Sequence, residues 1–243
     1  MQTPKAFFDH MRRTISGGSL TESQVLGCNL FIKEAEKRKL PLNRFANILG
    51  QTFWETGKTM AAVKEAYYLG GKAEAYRKKL RYYPYYGRGH IQNTWKHNYE
   101  KLSNMWEDMT GQSIDFVNDP DLLLLNKYSI PITFEGFERG VWTGKDSDDY
   151  IDVIDEDDDE DLREYANARR IVNGTDRQVT IGKISLEFER ALRAGGYGIP
   201  GAVEPSPAPP PPIPPPDVEP APAPPAEPSE GFWARLKRKL FGE

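Results

Sequence analysis

Fifteen of the chain's 20 prolines fall between Pro200 and Pro228, in runs such as Pro209-Pro210-Pro211-Pro212. Proline fixes φ and has no backbone N–H, so a stretch this dense builds no core and extends as a polyproline spacer of about 3 Å per residue. The folded unit must therefore end near Gly198, and 199–230 reads as a linker. Beyond it, in 231–243, Phe232, Trp233, Leu236 and Leu240 fall on one side of a helical projection and Arg235, Arg238 and Lys239 on the other. A short basic amphipathic helix of this kind suits contact with a membrane or outer-envelope lipid; a disordered tail or a docking peptide is the alternative.

The remaining residues are enough for one core, since a chain of about 150 residues already hides about two-thirds of its unfolded surface. With a net charge of −4 and a pI near 5.6, general affinity for polyanions is not expected, and nucleic acid is not an expected partner. The single cysteine, Cys28, lies in the apolar run Val25-Leu26-Gly27-Cys28-Asn29-Leu30-Phe31-Ile32 and reads as a small core residue. One thiol permits no internal disulfide, which fits a reducing cytosol. The first ten residues lack the apolar core and small-residue site of a signal peptide, and no run approaches the ~18 apolar residues of a membrane-spanning helix.

Periodicity predicts a mainly α domain over 1–198. Thr21-Glu22-Ser23-Gln24 has the Thr-x-x-Gln form of a capping box and opens a helix to about Lys37. Pro41 suits the first turn of the next, whose Phe45, Ile48, Leu49, Thr52 and Phe53 recur at helical spacing, with Gly57 and Lys58 ending it after Glu55. Asp119-Pro120 predicts a further start. Pro131 predicts another, carrying Phe134, Phe137 and Val141. Ile181, Ile184, Phe188 and Leu192 mark a last helix, stopped by Gly195-Gly196. Strand patterns are scarce; at most a short hairpin fits between Tyr82 and Trp95. The acidic stretch Asp146–Glu164 reads as a solvated loop, because a calcium loop begun at Asp155 would put Glu160 where glycine is needed.

The chemistry concentrates between residues 53 and 99. Glu55 closes an apolar helix and Glu65 follows ten positions later. Cutting a glycosidic bond with inversion needs a neutral acid and an ionised base about 6.5–9.5 Å apart. On one unbroken helix the pair would stand about 15 Å apart and on different sides. Cooperation therefore requires the backbone to reverse just after Glu55, and Gly57 allows it. Of such a pair, the acid should be partly buried beside apolar walls and the base wetter or near a cation. Tyr82, Tyr83, Tyr85 and Tyr86 are either core rings or sugar platforms. Gly87-Arg88-Gly89 lacks the ending of a phosphate loop and reads as a tight turn, with Arg88 paired to a carboxylate or the backbone. His90 and His97 have no third ligand at useful spacing, so no metal site is assigned. Asn173-Gly174 has the form of a helix stop, with a sugar contact from Asn173 left open.

Several blocks, taken in order, resemble glycoside hydrolase family 19 in its bacterial and phage endolysin-like branch. They are Phe53-Trp54-Glu55-Thr56-Gly57-Lys58-Thr59-Met60, Val63-Lys64-Glu65, Tyr85-Tyr86-Gly87-Arg88-Gly89-His90-Ile91-Gln92-Asn93-Thr94-Trp95 and Asn98-Tyr99. Phe7-Phe8, Leu20–Val25, Trp142–Lys145 and Ala168–Asp176 extend the likeness over roughly Pro4 to Leu192. The resemblance implies a lysozyme-like, two-lobed helical domain with a cleft. It also implies Glu55 as general acid, partly buried beside Phe53 and Trp54, Glu65 as general base, wetter or near a cation that Lys64 or Arg170 could supply, and Thr94 holding the attacking water. Gln92, Asn98 and Asn173 would bind the sugar and its acetamido group, and Tyr86 is a candidate sugar contact. Two positions depart from the pattern: Trp54 stands where relatives commonly have histidine, and Asn93 where they often have leucine.

The expectation is thus a monomeric, cofactor-free and metal-free hydrolase of β-1,4 bonds in bacterial peptidoglycan. It would be made in the host bacterial cytoplasm and released to the envelope. A chitinase of the same fold, or a non-catalytic wall-binding virion protein, are the alternatives.

Overall fold

The computed structural model describes Met1 and residues 4–152 and 157–198. The expected spacer and amphipathic tail lie outside the described residues. The described part is mainly helical. In order it contains α1 (Pro4–Thr14), α2 (Glu22–Arg38), α3 (Leu42–Glu55), β1 (Val63–Lys64), α4 (Ala73–Arg77), β2 (Arg88–Gly89), α5 (Lys96–Thr110), α6 (Asn126–Arg139), α7 (Asp158–Asn167), α8 (Arg170–Asn173) and α9 (Gln178–Ala194). Short 3-10 turns occur at Tyr67–Lys72, Pro120–Leu124 and Ser147–Asp149.

α2 begins as its sequence requires. The Thr21 hydroxyl accepts from the Gln24 N–H, and the Gln24 amide oxygen accepts from the Thr21 N–H, satisfying two otherwise orphaned donors. Lys39, in a left-handed conformation, ends α2, and Pro41 sits at the N-cap of α3, one place earlier than expected. α3 is the central helix: every residue from Phe45 to Phe53 is buried. It packs on α9, which also receives α1 and α7. Gly50 is the point of closest approach, where a Cβ would lie 2.1 Å from Ser185 Oγ and 2.9 Å from Ser185 Cα. Phe188 of α9 meets Phe53 and Phe7 at ring-centre distances of 5.7 and 6.3 Å.

The buried side chains form two clusters. The larger joins Phe7, Phe31, Phe45, Phe53, Phe134 and Phe188. The smaller joins Tyr99, Leu102, Met105, Phe116, Leu123 and Ile132. α6 serves both, offering Ile130, Phe134 and Phe137 to the first and Ile132 to the second.

Three expectations are corrected. Pro131 does not start a helix but lies inside α6, which begins at Asn126 and ends at Arg139 before left-handed Gly140. The helix forgoes the one bond a residue-131 N–H would give the Lys127 carbonyl, and burial of its flanking apolar residues outweighs that loss. Val141 falls outside α6 and packs on the smaller cluster. The short hairpin expected within 82–95 amounts to one antiparallel bridge, Arg88–Asn93, with the Trp95 N–H donating to the Tyr85 carbonyl, and the strand partner of β2 is instead the distant β1. The described part of the acidic stretch is ordered. Asp146 caps the turn Ser147–Asp149, and Asp157 caps α7 by accepting from the N–H groups of Asp159 and Glu160. Acidic residues in a first turn suit the positive end of the helix dipole. Asp155, the proposed first calcium ligand, lies outside the described residues. No described helix is long and apolar enough to cross a membrane.

The α3–α9 approach yields a stability test. Gly50→Ala would gain about 1 kcal/mol of helix propensity, but its methyl meets backbone, which cannot rotate away. Overpacking of this kind costs typically 1–3 kcal/mol or more, so the variant should be net destabilised in denaturant unfolding.

Candidate active site

Glu55 ends α3 on the same side as Asn47 and Gln51, each one helical turn apart. The buried Arg169 guanidinium, between α7 and α8, joins this ladder. Its Nη2 lies 2.7 Å from Glu55 Oε1, its Nη1 donates to Gln51 Oε1 at 2.9 Å, and its Nε donates to the Asp176 carbonyl at 3.3 Å. Arg169 is 1% exposed, and the Glu55 side chain retains 13% of its surface.

The backbone reverses immediately afterwards. The Thr56 hydroxyl donates to the Thr52 carbonyl at 2.8 Å, and Gly57 and Lys58 take positive φ of 59° and 73°. Gly57 also abuts Tyr67, where a Cβ would lie 2.8 Å from the phenol oxygen. α2 clamps the turn, because Ser23 Oγ donates to the Thr59 carbonyl and Gln24 Nε2 to the Lys58 carbonyl. The Tyr67 hydroxyl then donates to the Thr56 carbonyl at 3.3 Å, tying the segment after Glu65 to the residue after Glu55.

Glu65 directly follows β1. The strand pairs Val63 with Gly89 and Lys64 with Arg88, and the contact continues as the Glu65 N–H donates to the Gly87 carbonyl at 2.7 Å. The Gly87 N–H donates back to Glu65 Oε2 and the Tyr82 hydroxyl donates to Oε1, both at 2.9 Å. Arg77 donates to the Glu65 carbonyl at 3.0 Å. Glu65 is 4% exposed. Burial raises its pKa above the ordinary glutamate value, against the Gly87 and Tyr82 donors and the charges of Arg77 and Arg88.

Glu65 is thus drier than expected, although the charges of Arg77 and Arg88 act on it, and the partly buried Glu55 is ion-paired with Arg169. Neither expected cation serves Glu65: Lys64 pairs with Asp121 at 2.6 Å, and Arg170 donates to Asn167. Arg88 binds both kinds of partner envisaged for it. Its Nε pairs with Asp121 at 2.7 Å, and its Nη1 donates to the carbonyls of Pro84 and Tyr86.

The other candidate residues divide between the two groups. Gln92, held at φ 49°, spends its amide N–H groups on the carbonyls of Val63 and Gly89, bracing the turn beside Glu65. Thr94 is half-buried, its hydroxyl makes no hydrogen bond among the described residues, and its carbonyl accepts from Asn98 Nδ2 at 2.9 Å. The Asn98 amide oxygen is buried without a hydrogen-bond partner in the described structure. Asn173 is exposed at the end of α8, one turn beyond Arg169. Tyr86 is 4% exposed, with the guanidiniums of Arg88 and Arg77 over its ring at 3.7 and 5.0 Å, so it offers no open platform. Tyr83, 42% exposed and stacked on Tyr86, is the open ring of this group. Asn93 replaces the expected apolar residue with a matched amide, which accepts from Trp142 Nε1 at 2.7 Å and donates to the Arg88 carbonyl.

Sequence reasoning missed Arg169, Tyr82 as a donor to Glu65, and Arg77. The pair Arg169-Arg170 was visible, but which of two neighbours turns inward depends on helical register. His90 is a core residue: it is 1% exposed, 2.8 Å from Ser129 Oγ and edge-on to Phe31, and burial lowers its pKa to about 3. Among the described residues no group of three His, Cys, Asp or Glu is placed to hold a metal. A cavity of about 900 Å³ lies elsewhere, lined by Glu36, Lys39, Leu40, Arg193 and Tyr197 and touching none of the candidate residues. Comparison with protein-family models, curated proteins and solved structures returned no match.

Glu65 gives a pH signature. Its folded pKa is raised, so the protonated group's contribution is fully present below the unfolded value and is lost as pH rises through the folded value. His90, with a lowered pKa, acts in the opposite direction in both proteins. The difference in Tm between Glu65→Gln and the wild type should therefore grow in the variant's favour from pH 4 to pH 7. A flat difference would contradict the burial cost.

Proposed function

We propose that this chain is an endolysin-type glycoside hydrolase that cuts β-1,4 bonds of bacterial peptidoglycan by single displacement with inversion. The supporting observation is the Thr56–Tyr67 bond, which fixes the fold-back. Glu55 precedes one end of it and Glu65 lies two residues before the other. In this reading the two hydrophobic clusters are the cores of two lobes, and the sugar strand crosses between them.

Glu55, paired through Oε1 with Arg169, delivers the proton to the glycosidic oxygen. Glu65, fixed at both oxygens, takes a proton from water, and the free hydroxyl of Thr94 orients that water. Gln92, Asn98 and Asn173 bind the sugar and its acetamido group, with the unpartnered Asn98 oxygen as an acceptor. The exposed Tyr83 replaces Tyr86 as the stacking ring. Two carboxylates suffice for this scheme, without a metal or cofactor. The chain acts as a monomer, made in the host bacterial cytoplasm and working at the envelope, with 231–243 touching lipid.

A second assignment of roles has a specific basis. Burial holds Glu65 toward its protonated form, and Glu55 is ion-paired with the buried Arg169. These environments suit Glu65 as acid and Glu55 as base.

Digestion of purified sacculi, with mass spectrometry of the fragments, tests the function. The wild type should release disaccharide-peptides, and Glu55→Gln and Glu65→Gln should each lose at least 100-fold in rate, the usual scale for an acid or base. Azide, which replaces activated water, should rescue the base variant alone and give a glycosyl azide. Rescue of Glu65→Gln supports the first assignment, and rescue of Glu55→Gln supports the second. Turnover of chitin oligomers but not sacculi would indicate a chitinase. Binding to sacculi without turnover would indicate a wall-binding protein.

A further inference from the structure

Between Lys72 and Lys101 the sequence has eight Lys or Arg residues and two Glu, in a chain whose net charge is −4. The structure separates these cations by role. Arg77 and Arg88 are buried and paired with Glu74 and Asp121. Lys96 lies 3.5 Å from Glu100, and Lys101 donates to the Val141 carbonyl. Lys72, Lys78, Lys79 and Arg81 are exposed, and none forms an ion pair with a described residue. They flank and follow the short helix α4, in ten residues of consecutive turns.

This patch is joined to the candidate site through aromatic rings. The Arg81 guanidinium lies over the Trp95 ring at 4.9 Å, Trp95 meets Tyr82 at 5.1 Å, and the Tyr82 hydroxyl donates to Glu65. Four like charges within ten residues repel one another and gain nothing from a neutral ligand. An anion among them relieves that repulsion, while the half-buried rings of Trp95 and Tyr82 beside Arg81 favour a sugar face.

We propose that Lys72, Lys78, Lys79 and Arg81 bind carboxylate groups carried by the glycan, so that the polymer accepted at Glu65 is acidic. The peptide-stem carboxylates of peptidoglycan have this chemistry, and chitin does not. The proposal rests on the site assigned under Proposed function and extends it to substrate class.

The test is co-sedimentation of the full chain with purified sacculi, sacculi whose carboxylates have been amidated, and chitin. Wild type is compared with the Lys72→Gln, Lys78→Gln, Lys79→Gln, Arg81→Gln quadruple variant. All four side chains are exposed, so the fold should be retained, which circular dichroism checks. Both proteins keep the same tail, so their difference reports this patch. At low salt the quadruple variant should bind native sacculi about tenfold more weakly, the size expected of four exposed pairs. The difference should vanish in about 1 M salt, where charges are screened beyond roughly 3 Å. It should also vanish on amidated sacculi. Equal binding of both proteins to native sacculi, indifference of the wild type to amidation, or tighter binding to single-stranded DNA than to sacculi would each overturn the proposal. The assay needs no turnover, so a failure of hydrolysis leaves it intact. Unchanged binding with active hydrolysis rejects this proposal alone.

Discussion

Glu65 and Gly87 hold each other at two points, and the geometry of the candidate site depends on that grip. The Glu65 N–H reaches the Gly87 carbonyl, and the Gly87 N–H returns to the Glu65 carboxylate. One bond extends the β1–β2 pairing and the other aims a side chain. The Gly87 turn therefore cannot shift without moving the carboxyl. Arg88 anchors the far side of the turn to Asp121 and to the carbonyls of Pro84 and Tyr86. Gln92 ties it to Val63, and Tyr67 ties the following segment to Thr56 at the end of α3. A two-residue strand pair would be weak alone, but here it is buttressed on every side by side chains.

The two glutamates are stabilised by different means. Glu55 has a buried guanidinium, which itself is satisfied by Gln51 and the Asp176 carbonyl. A buried charge of this kind persists only when its hydrogen-bonding capacity is used, and α3 supplies that through residues spaced by four. Glu65 has almost no solvent, so its charged form is disfavoured by burial and favoured by its neutral donors and by the charges of Arg77 and Arg88. Acid–base work near neutral pH requires two carboxyls of different proton affinity. Burial raises that of Glu65, the one that flanking residues alone would have made wetter. Hydrophobic neighbours in sequence, Phe53 and Trp54, did not decide which glutamate was dry. The nonlocal packing of the Gly87 turn did.

Features encoded locally were legible. The capping box at Thr21 and Gln24 is written in four residues, and both of its bonds form. The helix ending at Glu55 followed from apolar spacing and Gly57, and α9 from Ile181 to Leu192. Features that depend on distant partners were not. The partner of Arg88-Gly89 is Val63-Lys64, far earlier in the chain, so a pairing sought within 82–95 missed it. Pro131 is tolerated mid-helix because α6 packs on both clusters, which no local rule foresees. The acidic run looked like a solvated loop because its charges are many, yet Asp146 and Asp157 use theirs to cap backbone N–H groups. Tyr86 looked like a sugar platform from composition, and two buried arginines claim it instead.

The chemistry proposed for this site is single displacement, and stereochemistry reports on it directly. Proton NMR of a soluble peptidoglycan tetrasaccharide, recorded in the first minutes of digestion, shows the anomer released before mutarotation. Water delivered from the face opposite the leaving group should yield the α-anomer from a β-linkage. Initial release of the β-anomer would require a covalent intermediate that this account does not contain. That result, or an absence of any cleavage by the intact chain, would contradict the account.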